Sequence, residues 1–143
     1  MAHLEKRGLE YKDFGTYTRD SCDYPEYGRA VALAVASGEF ERGIVICGTG
    51  IGISIAANKV PGIRAALCGD CFSAQATREH NDANILAMGA RVVGEGLALK
   101  IVATFLDTPF SHDERHSRRI SLIEGGAIKA GGRSGTTPSS LSP

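Results

Sequence analysis

The sequence is poor in the features that would commit it to large charged partners or to a lipid phase. Sixteen Lys and Arg balance sixteen Asp and Glu, so no net field points toward nucleic acid or an anionic membrane surface. No secretory signal and no long uncharged apolar run is present, which excludes a spanning helix and places the chain in the cytoplasm as an expectation. Internal repeats are absent. The cysteines, Cys22, Cys47, Cys68 and Cys71, are too few and too scattered for a disulfide framework, and a cytosolic chain keeps them as thiols. No second C-x-x-C pair accompanies the one at 68–71, so a four-ligand zinc site is incomplete.

What is present is ordinary globular composition over 143 residues, 43% hydrophobic and 22% charged, enough for one domain. Residues 2–7 read as the end of a helix closed by Gly8, and "LEYKDFG" (9–15) as a strand. At "DYPEYGRAVALAVASG" a helix starts, with Asp23 as N-cap, Glu26 in the capping-box position and Gly38 as the stop. The run 44–47 reads as a buried parallel strand, followed by a helix over 51–58. Strand "IRAALC", helix "CFSAQATREHND", strand "ANILAMG", amphipathic helix "GEGLALKIVATFLDT" and basic helix "ERHSRRISLIEGG" complete the series. Strands alternating with helices of this length predict a single-domain α/β fold with a doubly wound parallel sheet and flanking helices. From Gly125 onward the small, polar, aperiodic sequence reads as a disordered tail, leaving residues 1–124 as the domain.

The informative stretch is "IVICGTGIGISIAANK" (44–59), in which a buried strand ends on a cysteine and opens into a glycine-rich turn. Ligands of open α/β sheets bind outside the carboxyl ends of the strands. Peptide N–H groups of such a turn, and of the helix that follows, favour negative charge; they can lower a thiol pKa or hold a developing oxyanion. Cys47 is thus suited to act as a base or nucleophile. A buried structural thiol beside an ordinary turn accounts for the pattern equally well, because G-x-G-x-G is not the dinucleotide fingerprint and no Walker lysine follows.

Other candidates have equally plain alternatives. His80, near a helix end and followed by Asn81, is either an acid/base or a surface imidazole. Arg91, Arg115, His116 and Arg119 form a basic set that solvated faces would also explain. Arg115 and Arg119 fall one helical turn apart and can face one anion, whose oxygens the guanidinium fork matches. "CGDC" at a strand end opening a helix has the layout of thiol–disulfide oxidoreductases, which makes a redox protein using Cys68 and Cys71 the rival function.

"DYPEYG", "GIVICGTGIGISIAANKVPGIRAALC", "REHNDANILAMGARVVG" and "RHSRR" resemble, in order and spacing, the type B ribose-5-phosphate isomerases, whose family includes the galactose-6-phosphate isomerase subunits. The resemblance runs from about residue 3 to residue 124. It implies a Rossmann- or flavodoxin-like sheet and an aldose–ketose isomerisation in which Cys47 moves a proton between C2 and C1 of the open-chain sugar through a cis-enediolate. Thr49 and the amides of Gly48, Gly50 and Gly52 would stabilise the enediolate, with Ile51 in the same substrate-binding loop. His80 would open the furanose ring, Asn81 would bind a sugar hydroxyl, and Tyr24 would contact substrate unless it is simply a partly buried aromatic. Arg91, Arg115, His116 and Arg119 would grip the phosphate, with Arg115, His116 and Arg119 crossing from the partner subunit of a homodimer. A tetramer of two dimers stays open, and no cofactor or metal is implied.

Family members begin with an interior strand ending in an Asp-His pair, whereas "MAHLEKRG" corresponds to the end of the first helix. The resemblance therefore implies a chain that lacks this strand, and a weakly active or inactive member is an alternative expectation. Allose or galactose 6-phosphate are alternative substrates. Cys47 favours the ribose type, because galactose-type subunits often lack a cysteine there.

Overall fold

The computed structural model describes residues 1–125. Helix α1 (Ala2–Lys6) leads through an irregular segment to α2 (Tyr24–Ala36), then β1 (Gly43–Cys47), α3 (Ile51–Ala57), β2 (Ala65–Leu67), α4 (Cys71–Asn81), β3 (Ile85–Gly89), α5 (Glu95–Asp107) and α6 (Glu114–Ile123). Every strand and helix expected from residue 24 onward is present, within the few residues by which element ends vary.

The sheet is parallel, in the order β1-β3-β2. Central β3 is buried along its whole length, as a parallel strand covered on both faces must be. Its alternating side chains feed two cores. Ile85 and Ala87 pack with Ala32 and Val35 of α2 and Ile53 and Ala57 of α3. Leu86 and Met88 pack with Ala74 of α4 and Ile101, Val102 and Phe105 of α5. Helices thus cover both faces of the sheet, the doubly wound arrangement, and each fully buried Ile, Leu or Phe contributes about 1.5–3 kcal/mol.

Three local expectations are corrected. Residues 9–15 form no strand: Gly15 takes a left-handed φ of 90°, and its N–H donates to the Asp13 side chain in a turn that competes with a ladder. Asp23 occupies the N-cap of α2, yet its side chain makes no capping hydrogen bond, so the capping box is not formed. Strand β1 is only partly buried, with Ile46 54% exposed. Among the described residues β1 pairs with β3 alone. A cavity of about 800 Å³ separates residues 43–46 from residues 9–15, and Leu4, Val35, Val102 and Leu106 also line it. The tail expected over 125–143 lies, past Gly125, outside the described residues.

Candidate active site

Strand β1 delivers Cys47 to the carboxyl edge of the sheet, in register with Gly89 of β3. The turn that follows is local in origin. Gly50, the N-cap of α3, sits at φ 78°, and a Cβ on it would stand 2.6 Å from the Met88 carbonyl carbon. Only glycine combines that handedness with that approach. The Gly50 N–H then points back at Cys47 and donates to Sγ at 3.1 Å. Ile51 N–H donates to Thr49 Oγ1 at 3.3 Å.

Desolvation by itself would raise the Cys47 thiol. Hydrogen bonds from the Ile53, Gly50 and Thr49 amides and from the Thr49 hydroxyl outweigh it, and the pKa ends below the ordinary thiol value. Two of these donors, Gly50 and Ile53, lie in the opening turn of α3, where amides have no helical partner. The Gly50 amide, expected to face the enediolate, donates to the Cys47 sulfur in this structure. Ile53, whose N–H also favours the thiolate, was not among the expected residues; its signal was its position, third in a helix whose N-cap glycine follows the cysteine by three residues.

Tyr24 and Arg91 join this edge. A Cβ on Gly52 would overlap the Tyr24 hydroxyl, so Gly52 leaves room for that ring, which is 41% exposed. Arg91 N–H donates to the Gly48 carbonyl at 3.0 Å, and its Nε lies 3.6 Å from the place a Gly48 Cβ would occupy. Cys47, Gly48, Thr49, Gly50, Ile51, Gly52, Tyr24 and Arg91 thus form one cluster.

His80, Asn81, Arg115, His116 and Arg119 form another. The His80 and His116 rings lie against each other with centroids 4.4 Å apart and planes tilted by 39°, His80 exposed and His116 buried. Ser111 Oγ lies 2.8 Å from His116 Nδ1. Desolvation, and after it the charges of His80, Arg115 and Arg119 against that of Asp113, holds His116 below the ordinary imidazole value. Arg115 pairs with Asp113 at 3.2 Å, while Arg119 is exposed one turn along α6. Two further arginines brace this group. Buried Arg78 donates to Asp82 and to the Ala83 and Thr108 carbonyls, which satisfies its charge. Arg64 donates to the Asn81 carbonyl at 2.8 Å and to Glu124 at 2.6 Å, tying the end of α4 to the end of α6.

Within one chain the clusters do not meet. Helix α4 starts beside the carboxyl ends of the strands and runs back about 16 Å to Asn81. Asn84 then bonds the Gly43 amide at the amino edge, and β3 needs about 13 Å to climb from Ile85 to Gly89 beside Cys47. His80 and Asn81 therefore lie at the opposite edge from Cys47, together with the residues expected to cross between subunits.

Cys68 of the C-x-x-C pair lacks the electrostatics of an attacking redox thiol. Cys68 is 1% exposed, and burial, with the Asp70 charge added, pushes its thiol up to about 11. An attacking thiol needs access and a low pKa. Asp70 caps α4 by accepting from the Ser73 amide at 2.7 Å, so the loop has a structural explanation. Among the described residues no three His, Cys, Asp or Glu side chains are grouped to hold a metal ion, and no helix is long and apolar enough to cross a membrane.

Comparison with known proteins bears directly on this loop and sheet. "Ribose-5-phosphate isomerase B" of Escherichia coli (strain K12) is 53% identical over 123 residues, 86% of this chain and 82% of that protein. "D-erythrulose-4-phosphate isomerase" of Pectobacterium atrosepticum is 45% identical over 109 residues, 76% of this chain and 72% of that protein. The solved structure of Clostridium thermocellum ribose-5-phosphate isomerase B superposes with a TM-score of 0.84 at 60% identity, covering 86% of this chain and 82% of that one. The family model described as Ribose/Galactose Isomerase matches residues 1–123, so both clusters fall within the matched region. The chain belongs to the ribose/galactose isomerase family and is an isomerase.

Proposed function

We propose that the chain interconverts ribose 5-phosphate and ribulose 5-phosphate, with Cys47 as the base. The carrying observation is the thiol at the carboxyl edge of the sheet, held below its ordinary pKa by amides aimed at its sulfur. As thiolate, Cys47 removes the proton from C2 of the open-chain aldose and returns it to C1, while the O2 hydroxyl proton passes to O1 across the cis-enediolate. The charge that develops on the enediolate oxygens falls to the Thr49 hydroxyl and the loop amides of Gly48, Gly50 and Gly52. Arg91 and Tyr24 line the same space and contact the sugar phosphate.

Ring opening and phosphate binding come from the second cluster, and a homodimer supplies it. The partner subunit's His80 opens the furanose, the partner's Asn81 holds a sugar hydroxyl, and the partner subunit's Arg115, the partner's His116 and the partner's Arg119 take the phosphate. Separation of the two clusters to opposite edges of one sheet supports this sharing, since a single chain cannot close both around one five-carbon substrate. The match to a protein named as a D-erythrulose-4-phosphate isomerase makes a four-carbon ketose phosphate the competing substrate. Kcat/KM for ribose 5-phosphate, erythrulose 4-phosphate, and galactose and allose 6-phosphates, measured on one preparation, tests the reading. Ribose 5-phosphate should lead, and a higher value for any other sugar phosphate rejects the assignment.

A further inference from the structure

Ser111 lies in the turn between α5 and α6 and has been given no role above. Its backbone N–H donates to the Glu79 carbonyl at 3.2 Å, the residue just before His80. Its Oγ lies 2.8 Å from His116 Nδ1 and accepts the Asp113 N–H at 3.3 Å. One serine therefore touches the His116 ring and the residue that precedes His80.

The turn is strained to bring this about. His112 takes a φ of 56°, left-handed backbone that is costly for a residue with a side chain. Strain of this kind persists where surrounding structure imposes it, and it clusters at functional sites. Here it lets the chain double back, so that Ser111 reaches Glu79 while Asp113, two residues on, caps α6 by accepting from the Arg115 amide.

The hydrogen bond between Ser111 and His116 can run in either direction, and the direction decides what His116 offers. If Oγ donates to Nδ1, the hydroxyl proton is used and a lone pair accepts the Asp113 N–H. In the reverse arrangement Oγ accepts two N–H donors, and its own proton is left to solvent, because Ser111 is exposed. Desolvation lowers the His116 pKa and so favours the neutral ring, in which one nitrogen carries the proton and the other does not.

Building on the function proposed above, we propose that Ser111 is a positioning residue that locks His116 as the tautomer protonated at Nε2, so that the ring presents an N–H donor to a substrate phosphate oxygen. Phosphate oxygens only accept, and the neighbouring Arg115 and Arg119 only donate. The opposite tautomer would set a nitrogen lone pair against the anion. Serine is needed for its hydroxyl, which alanine lacks and threonine retains.

Nitrogen NMR of labelled histidines on the ligand-free full chain reads the tautomer in the parent, Ser111→Ala and Ser111→Thr. Parent and threonine variant should carry the His116 proton at Nε2, and the alanine variant should show a mixture. Ser111→Ala should raise KM for ribose 5-phosphate about threefold to tenfold with kcat within about twofold, as expected for losing a positioning hydrogen bond. Threonine should restore KM, and the melting temperatures should agree. A His116 proton at Nδ1 in the parent overturns the proposal. So does an alanine variant with parental tautomer and KM, or a KM rise that threonine does not reverse. The tautomer is read without substrate. It decides the role of Ser111 even if ribose 5-phosphate is not turned over, a result that would count against the proposed function instead.

Discussion

The imidazole rings of His80 and His116 lie 4.4 Å apart at the amino edge of the sheet, in the same chain whose Cys47 stands at the carboxyl edge. The proposed sharing of the site between subunits predicts that these residues complement each other between chains. Mixing inactive Cys47→Ser chains with inactive His80→Ala chains, followed by subunit exchange, should recover about a quarter of parental turnover, since half the dimers are mixed and each holds one intact site. No recovery, with mixed dimers demonstrated by mass, would mean that both clusters serve separate sites.

Replacing Cys47 by serine should lower kcat about a hundredfold or more, the range of a general base, while KM moves only a few-fold. A pH profile adds a sign. A thiol whose pKa is lowered ionises earlier as pH rises, so the acid limb of kcat/KM should lie below the ordinary thiol range. Activity falls as pH drops through that lowered value, where the base becomes protonated. An acid limb unchanged in residual Cys47→Ser activity would assign it to another group.

Arg115→Ala and Arg119→Ala should each cost about 1.5–3 kcal/mol in binding the phosphate ester, the range for a hydrogen bond to a charged group. The loss should appear in KM rather than kcat. Turnover of ribose without phosphate should be slow in the parent and unaltered in either variant. Equal losses on ribose and its phosphate would show that these arginines only support folding.

Cys68 should resist thiol reagents that label Cys47, because it is 1% exposed and protonated up to about pH 11. Changing Cys68 and Cys71 together to alanine should leave isomerase turnover within about twofold, the scale of a volume change away from the chemistry. Disulfide reductase activity in the parent that disappears in this double variant would restore the redox reading.

Gly50→Ala tests the turn itself. A left-handed residue bearing a Cβ costs about 1–2 kcal/mol before any clash, and here the Cβ would meet the backbone of Met88. Both melting temperature and kcat should fall, since relieving the clash moves the amide off Sγ. A variant with parental melting temperature but lost activity would show that the turn adjusts freely, and that the amide rather than the backbone geometry is what glycine protects.

The cavity beside β1 and the irregular 9–15 segment mark where local reading failed. "LEYKDFG" carries Leu9 and Tyr11 at strand spacing, but a strand forms only when a neighbour completes its ladder, and among the described residues none does. Asp23 likewise sits where a cap belongs without making the bond. The first case depends on a partner distant in the chain, whereas the second is local, since Pro25 at the second helical position has no N–H to offer the Asp23 carboxylate.

The sequence by itself determined the pieces whose causes lie within a few residues of one another. These are the alternating strands and helices from residue 24 to residue 123, and the strand–turn–helix that carries Cys47. Handedness at Gly50, free amides in the first turn of α3 and a cysteine at a strand end are all local. Tertiary structure alone decided which candidates meet. The order β1-β3-β2 and the backward run of α4 send His80 and Asn81 away from Cys47 and onto α6. The Ser111 hydroxyl reaches His116 only because the backbone reverses at His112. Those placements follow from packing between elements far apart in the chain, and no spacing within a motif encodes them.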